Sequence, residues 1–356
     1  MLPYWILFAF PVWMALISAS SERPSNDRWT QMWVTTFLLL VIMIGFRHQV
    51  GADWSAYLRH FNDTKYDSFQ QAFSQTDPGY NLLNWVVAQF GLEIYSANVL
   101  CAVLFSWGLI EFCRIQPRPW LALVVAVPYL VIVVPMGYSR QGVAIGMVML
   151  GLVALSNRKF FWFIFCIALG ASFHKSAVLV MPLAAFVNFK NRALILASLF
   201  VFTLLLFSQL LEKSLETLNH TYYEAKYASS GAAIRVVMNA VPAGLFLVFR
   251  HRFKIADEEQ SFWTIMSWLS LGVIVWFMLS PSSTAVDRVA LFLIPLQLVV
   301  LSRLPDALGK KGGSVGVIVF GVVAYSALVL FVWLNFAAHS GSWLPYKFYP
   351  WVWLTE

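Results

Sequence analysis

Residues 315–336 read VGVIVFGVVAYSALVLFVWLNF, an apolar run without a single charged side chain. A helix that crosses a bilayer needs about 17–25 such residues, so this run alone predicts a membrane-spanning helix. Runs of the same kind recur along the chain, near residues 2–19, 94–113, 119–135, 192–211 and 262–280. Their repetition predicts a chain that crosses the membrane many times.

The overall composition supports this class. Of the 356 residues, 60% are hydrophobic and 12% are charged, whereas a soluble domain carries about 25% charged residues. The mean hydropathy is +0.71. The net charge of +7 is typical of Lys and Arg side chains that lie near anionic lipid headgroups. We therefore expect membrane lipids, and no nucleic acid, as partners.

We predict an all-α, polytopic membrane protein of about 12 transmembrane helices with extracytoplasmic loops and short or re-entrant helices. The spans are predicted near 2–19, 30–46, 94–113, 119–135, 139–156, 159–172, 175–189, 192–211, 234–249, 262–280, 288–302 and 314–335. With both termini outside, the short cytoplasmic loops hold most of the Lys and Arg residues, as the positive-inside rule requires. Two short spans meet at Ala171-Ser172-Phe173-His174-Lys175, and such breaks are tolerated mainly where they line a cavity.

No soluble domain or long linker interrupts this pattern, so residues 1–356 are predicted to form a single integral membrane domain. Its hydrophilic parts are outer loops near 47–93 and 212–235 and an outer tail at 337–356 that is rich in Trp, Tyr and Pro.

Four separate elements are predicted to place a cation at the same outer interface. Arg47 closes the second span, Arg140 and Arg288 each open a span, and Lys175 follows the break. Any one of these side chains could be an anchor that reaches the headgroups. A cation at mid-helix costs about 2.5–3.5 kcal/mol, so such residues usually face a polar cavity.

The same interface is predicted to hold two carboxylates and a histidine, which independent anchors would not need. These residues are Asp53, Asp77 and His174. Guanidinium groups bind phosphate through two parallel hydrogen bonds, and helix N-termini add backbone N–H donors. The cluster therefore favours an anionic headgroup, most simply a lipid-linked phosphate or diphosphate.

Each polar residue can be given a predicted role. Diphosphate binding is predicted for Arg47, Arg140, Arg288 and Lys175. Proton removal from an acceptor hydroxyl is predicted for Asp53, with His174 second and Asp77 as a further candidate. Contacts with sugar rings are predicted for Trp54, Tyr57, Tyr80, Tyr138 and Gln141.

At these residues the sequence resembles the EpsG family of exopolysaccharide biosynthesis proteins. The likeness rests on Arg47…Val50-Gly51-Ala52-Asp53-Trp54…Tyr57…Phe61, Asp77-Pro78-Gly79-Tyr80…Leu83, Ser139-Arg140-Gln141-Gly142-Val143-Ala144 and Phe173-His174-Lys175-Ser176-Ala177. Their order and approximate spacing match over residues 45–180. The resemblance implies a Wzy-like polysaccharide or O-antigen polymerase, a glycosyltransferase that acts on undecaprenyl-diphosphate-linked oligosaccharides at the outer face of the bacterial inner membrane.

No nucleotide-binding motif and no Asp-x-Asp pattern that would call for a metal is visible in the sequence, so neither a cofactor nor a metal is expected. The resemblance implies a lipid-linked diphosphate sugar as the substrate. A chain-length regulator and a flippase are the expected protein partners.

Three other classes remain open. A structural or scaffold membrane protein would not need arginines, aspartates and a histidine at one interface. A membrane O-acyltransferase that modifies an exopolysaccharide also uses an intramembrane histidine, but its acyl donor usually comes from the cytoplasm. A lipid-linked oligosaccharide transporter would need polar residues on both sides of the membrane. Here the central thirds of most predicted helices lack charge.

Overall fold

The computed structural model describes residues 1–18, 30–186, 231–280, 283–309 and 314–355, and the regular elements in these ranges are helices. In chain order they are α1 (Leu2–Ile17), α2 (Gln31–Gly45), α3 (Trp54–Thr64), α4 (Phe69–Ser74), α5 (Pro78–Gln89), α6 (Ile94–Arg114), α7 (Pro119–Ala126), α8 (Val134–Gly137), α9 (Ser139–Ser156), α10 (Phe160–Phe173), α11 (Ala232–Phe249), α12 (Asp257–Leu279), α13 (Ser283–Leu291), α14 (Pro295–Leu308), α15 (Ser314–Phe336) and α16 (Tyr349–Thr355). A π-helical turn, Val127–Val131, joins α7 to α8, and a 3₁₀ segment, Lys175–Phe186, follows α10.

Six helices within the described ranges are long and apolar enough to cross a membrane: Ile94–Arg114, Pro119–Gly137, Ser139–Ser156, Ala232–Arg252, Glu259–Leu279 and Ser314–Phe336. Shorter apolar helices cover Leu2–Ile17, Gln31–Gly45, Phe160–Phe173 and Lys175–Ala184. These helices confirm the all-α class. The count of about 12 spans stays a prediction. The span predicted at 192–211 and residues 212–230 of the predicted second loop lie outside the described residues.

The centre of the molecule is the segment from Pro119 to Gly137, and residues 120–137 of it are all buried. Helices α1, α6, α14 and α15 pack around α7, while α9 lies between α6 and α10. Gly146 allows α6 and α9 to approach closely, because a Cβ there would lie 2.7 Å from the Cα of Phe105. The close contact of α6 and α9 therefore depends on the missing side chain at Gly146.

The segment predicted as a span at 288–302 is not one continuous helix, because the structure divides it into α13 and α14. Pro295 begins α14 and has no backbone N–H with which to continue the hydrogen bonding of α13. As a consequence Arg288 lies in the last turn of α13. The expectation that Arg288 stands at a helix N-terminus is therefore wrong.

The second predicted outer loop, 212–235, extends too far. Helix α11 already begins at Ala232, so Arg235 lies inside the helix and its residue is 4% exposed. The first predicted loop, 47–93, contains three short helices, α3, α4 and α5.

The tail folds back onto the end of the bundle at which α2 ends and α9 begins, here called the polar end. The backbone N–H of His48 donates to the carbonyl of Lys347 at 2.9 Å, and that of Gly51 donates to Ser342 at 2.8 Å. Trp343 is fully buried, and its indole N–H donates to the carbonyl of Ile132 at 2.9 Å. The tail therefore fixes the segment that precedes α3.

Candidate functional site

An ion pair between Asp77 and Arg140 lies at the polar end. Asp77 precedes α5 with a left-handed backbone, at φ 60° and ψ 60°, a conformation that Asp tolerates better than most residues. Its Oδ2 accepts a hydrogen bond of 2.9 Å from Nη1 of Arg140, and the backbone of Lys175 donates a second one. Burial raises the pKa of Asp77, while Arg140 and Lys175 act in the opposite direction.

Two tyrosine rings also contact Arg140. Its guanidinium carbon lies 5.6 Å from the ring centre of Tyr57 and 5.8 Å from that of Tyr80, within the range of a cation–π contact. Arg140 stands in the first turn of α9, as predicted, and 40% of its side chain is exposed. One carboxylate and two rings thus hold this cation while part of it faces outward.

Asp53 is an exposed carboxylate at the start of α3. Its ionisable neighbours are Arg140, Arg288 and His339. Desolvation raises the pKa of Asp53, and these three neighbours partly offset the increase. The result is a carboxylate among cations whose pKa still lies above its ordinary value.

Gly51 brings the segment before α3 against α8. Its φ of +105° is unfavourable for side chains with a Cβ, and a Cβ there would clash with the carbonyl oxygen of Met136. The glycine of this motif therefore positions Asp53 at the polar end.

Arg288 reaches the same cluster from the last turn of α13 and is exposed. The side-chain amide of Gln141 donates to the backbone carbonyl of Arg288 at 3.1 Å. This hydrogen bond links the first turn of α9, which carries Arg140, to the end of α13.

His174 and Lys175 lie at the junction between α10 and the 3₁₀ segment that follows. The His174 ring lies 6.2 Å from the Phe292 ring and has Arg288, Arg140 and Lys175 as charged neighbours. Its Nδ1 is 3.4 Å from the backbone nitrogen of Ser176, which donates to it. In the neutral ring this contact favours the tautomer with the proton on Nε2.

Arg47 has a different environment, because it is 2% exposed. Its guanidinium donates to the carbonyls of Ile44 (2.6 Å) and Met136 (2.9 Å) and to the side chains of Ser139 (2.7 Å) and Asn98 (3.4 Å). Arg47 therefore ties the end of α2 to α6, α8 and α9.

The residues predicted to contact sugars are mostly buried. Trp54 and Tyr57 are each 8% exposed, and Tyr80 and Gln141 are also buried. Tyr138 is half-buried and lies just before Arg140 on the chain. Their contact with sugar rings stays a prediction.

A polar network between α11 and α13 was not predicted from the sequence. Arg235 and Asp287 form a buried ion pair, and Nη1 of Arg235 lies 2.5 Å from the Tyr129 hydroxyl. The Asn239 side chain donates to the carbonyl of Ala290 at 2.7 Å. The available signal was a lone cation followed four residues later by an amide within an apolar run, which indicates a buried polar contact.

No group of three His, Cys, Asp or Glu side chains is close enough to hold a metal ion within residues 1–18, 30–186, 231–280, 283–309 and 314–355. The expectation of metal-independent chemistry stays a prediction.

The fold and the site define a helical membrane protein with Arg140, Arg288, Lys175, Asp53, Asp77 and His174 gathered at one end of its bundle. The model of the EpsG family matches residues 31–348, and the chain belongs to this family. Membership indicates a membrane protein of polysaccharide biosynthesis that resembles a polymerase. No curated protein and no solved structure matches the chain.

Proposed function

We propose that this protein is a Wzy-like polysaccharide polymerase. It transfers a glycan from an undecaprenyl-diphosphate donor to a lipid-linked repeat unit at the outer face of the bacterial inner membrane. The observation that carries the proposal is the position of Asp53, an exposed carboxylate whose charged neighbours include Arg140 and Arg288, at one end of an apolar helix bundle. Glycosyl transfer from a diphosphate requires a proton acceptor beside groups that bind the anionic leaving group.

The cations bind the leaving group. Arg140 and Arg288 donate hydrogen bonds to the diphosphate oxygens, and Lys175 adds positive charge beside Asp77. Because guanidinium groups match phosphate oxygens in geometry, they stabilise the charge that develops as the glycosidic bond to the diphosphate breaks.

Asp53 acts as the general base. The acceptor hydroxyl oxygen attacks the anomeric carbon of the donor glycan, the bond between that carbon and the diphosphate oxygen breaks, and Asp53 takes the hydroxyl proton. The leaving group is undecaprenyl diphosphate. A raised pKa suits this role, since a base is most effective when its pKa approaches the working pH.

The other two candidate bases, Asp77 and His174, have hydrogen-bond partners that favour different roles. Asp77 accepts from Arg140 and from the Lys175 backbone, so it orients the cation. His174 receives a hydrogen bond at Nδ1, so its Nε2–H is suited to donate to a phosphate oxygen.

Arg47 is a positioning residue in this proposal. Its donors face protein acceptors on α2, α6, α8 and α9, and it supports the turn that presents Arg140. We further propose a chain-length regulator and a flippase as protein partners of the polymerase.

The test measures product length in a deletion strain that expresses the chain at matched levels. Lipid-linked glycans from cells with Arg140→Ala, Arg288→Ala, Asp53→Asn or His174→Ala are sized on a gel. Arg118→Ala is the matched control, since Arg118 forms an Arg–Asp pair with Asp306, away from the polar end. We expect single repeat units on lipid and no long polymer in the site variants, with normal polymer in the control.

Other outcomes would reject the proposal. Normal polymer that lacks acyl groups would identify an O-acyltransferase. Repeat units that accumulate on the cytoplasmic side would identify a transporter. Normal, fully modified polymer in all variants would make these residues interfacial anchors.

A further inference from the structure

An apolar groove of about 620 Å³ lies between α11 and α15. Both helices are long and apolar enough to span a membrane. The groove is lined by aliphatic and aromatic side chains, which include Val237, Val241, Leu328, Val332 and Phe336. Its volume falls within the range of about 300–1,000 Å³ that ligand sites usually have.

One end of this groove, where α11 begins and α15 ends, lies at the polar end of the bundle. His339 lines the groove. Its backbone carbonyl accepts from the N–H of Ser342, and the carbonyl of Ser342 accepts from the N–H of Gly51, two residues before Asp53. Tyr129 lines it as well, and the hydroxyl of Tyr129 is held by Arg235, the partner of Asp287. The apolar groove and the cationic cluster are therefore adjacent through two named residues.

We infer that the groove binds the polyisoprenoid tail of a polyprenyl diphosphate. This inference rests on the proposed function, because it assigns a place to the lipid part of the same substrate. Such a ligand has an apolar chain and an anionic head, which match the apolar groove and the cations at the polar end. The tail enters the groove from lipid, so its binding depends on van der Waals packing against the lining side chains.

The groove also sets the direction from which the substrate enters. A tail held between α11 and α15 places its diphosphate next to His339. Asp53 lies near His339, and Arg140 and Arg288 lie near Asp53. The sugar that follows the diphosphate then lies beside the proposed base. An ordinary phospholipid has no diphosphate to engage both arginines, so the site prefers the polyprenyl ligand.

The test uses purified full-length protein and a polyprenyl diphosphate with a photoreactive diazirine in its tail. Val237→Trp and Leu328→Trp fill the groove, while Val317→Trp on α15 and Val275→Trp on α12 are matched controls on exposed positions outside the lining. We expect labelled peptides from α11 and α15. Labelling should fall by about tenfold in the two groove variants because an added indole overfills the site, and it should be unchanged in the controls.

A second measurement covers the case in which a tryptophan variant does not fold. In Leu328→Cys, polyprenyl diphosphate should protect the new thiol from a maleimide, and the three native cysteines are buried. Excess phosphatidylglycerol should neither protect this thiol nor displace the photoprobe.

The inference is overturned if the probe labels other helices, if the tryptophans have no effect, or if phosphatidylglycerol competes equally and marks a site for bulk lipid. Absence of protection together with labelling of residues 187–230 would place the tail elsewhere. These readouts need no glycosyl transfer. A chain that binds the tail in this groove but makes no polymer would refute the proposed function alone, and a polymerase labelled elsewhere would refute this inference alone.

Discussion

Oδ2 of Asp77 lies 2.9 Å from Nη1 of Arg140, so a predicted base and a predicted diphosphate ligand form an ion pair. The carboxylate is 8% exposed and the guanidinium 40% exposed. A buried acid that holds a half-exposed cation is suited to orient that cation. Asp53 is left as the exposed carboxylate of the cluster, which separates the roles of the two acids.

Arg140→Lys should abolish most polymerisation although the charge is kept. Lysine cannot reproduce two parallel hydrogen bonds to phosphate or the contacts with Tyr57 and Tyr80. We expect a decrease of about 10²–10³-fold in initial polymer formation, as for the loss of a donor that stabilises a developing anion. The measurement is repeat-unit incorporation in membranes, with Arg118→Lys as the control. An unchanged rate in Arg140→Lys would show that a point charge is sufficient.

Asp53→Asn and Asp77→Asn should fail in different ways. Asp53→Asn should reduce the rate by about 10²–10⁴-fold with little change in donor affinity, because it removes the proton acceptor and leaves the cations in place. Asp77→Asn should mainly weaken donor binding, because Arg140 loses its partner. The check is a comparison of maximal rate with the donor concentration at half-maximal rate. The reverse pattern would make Asp77 the base.

The pH dependence follows from the raised pKa of Asp53. The base is active as the carboxylate, so activity falls as the pH decreases through this pKa. The acidic limb of the rate profile should therefore lie above the ordinary Asp value of about 3.9. Arg288→Gln removes a neighbour that lowers this pKa, so the limb should move to higher pH. The profile is measured in membrane vesicles, and a limb that does not move would exclude Asp53 as the titrating group.

The sequence predicted the helical membrane class and the group of polar residues well, and for physical reasons. Apolar runs such as 315–336 determine spans through their length alone, and the residues at Asp53, Asp77, Arg140 and His174 lie at element boundaries, where the pattern is visible. Other features depended on tertiary contacts. Arg47 and Arg288 both lie at predicted span ends, but Arg47 is buried among protein acceptors and Arg288 is exposed. Asp287 pairs with Arg235, which lies 52 positions earlier on another helix.

Arg235→Met should destabilise the protein by about 3–5 kcal/mol, since it leaves Asp287 as an uncompensated buried charge. The double variant Arg235→Met, Asp287→Leu should recover much of this loss because both charges are removed. Thermal unfolding of detergent-purified protein gives the comparison. If the double variant is as unstable as the single one, packing and not charge compensation accounts for the effect.

Arg47→Gln distinguishes a diphosphate ligand from a positioning residue. The guanidinium donates to the carbonyls of Ile44 and Met136 and to Ser139, and the arginine is 2% exposed. A glutamine cannot reach all of these acceptors, and each buried group left without a partner costs about 1–3 kcal/mol. We therefore expect a clear drop in the thermal unfolding temperature. In molecules that remain folded at low temperature, the affinity for polyprenyl diphosphate should stay near that of the wild type. Loss of affinity with unchanged stability would instead place Arg47 on the substrate, which would require its guanidinium to leave the carbonyls of α2 and α8.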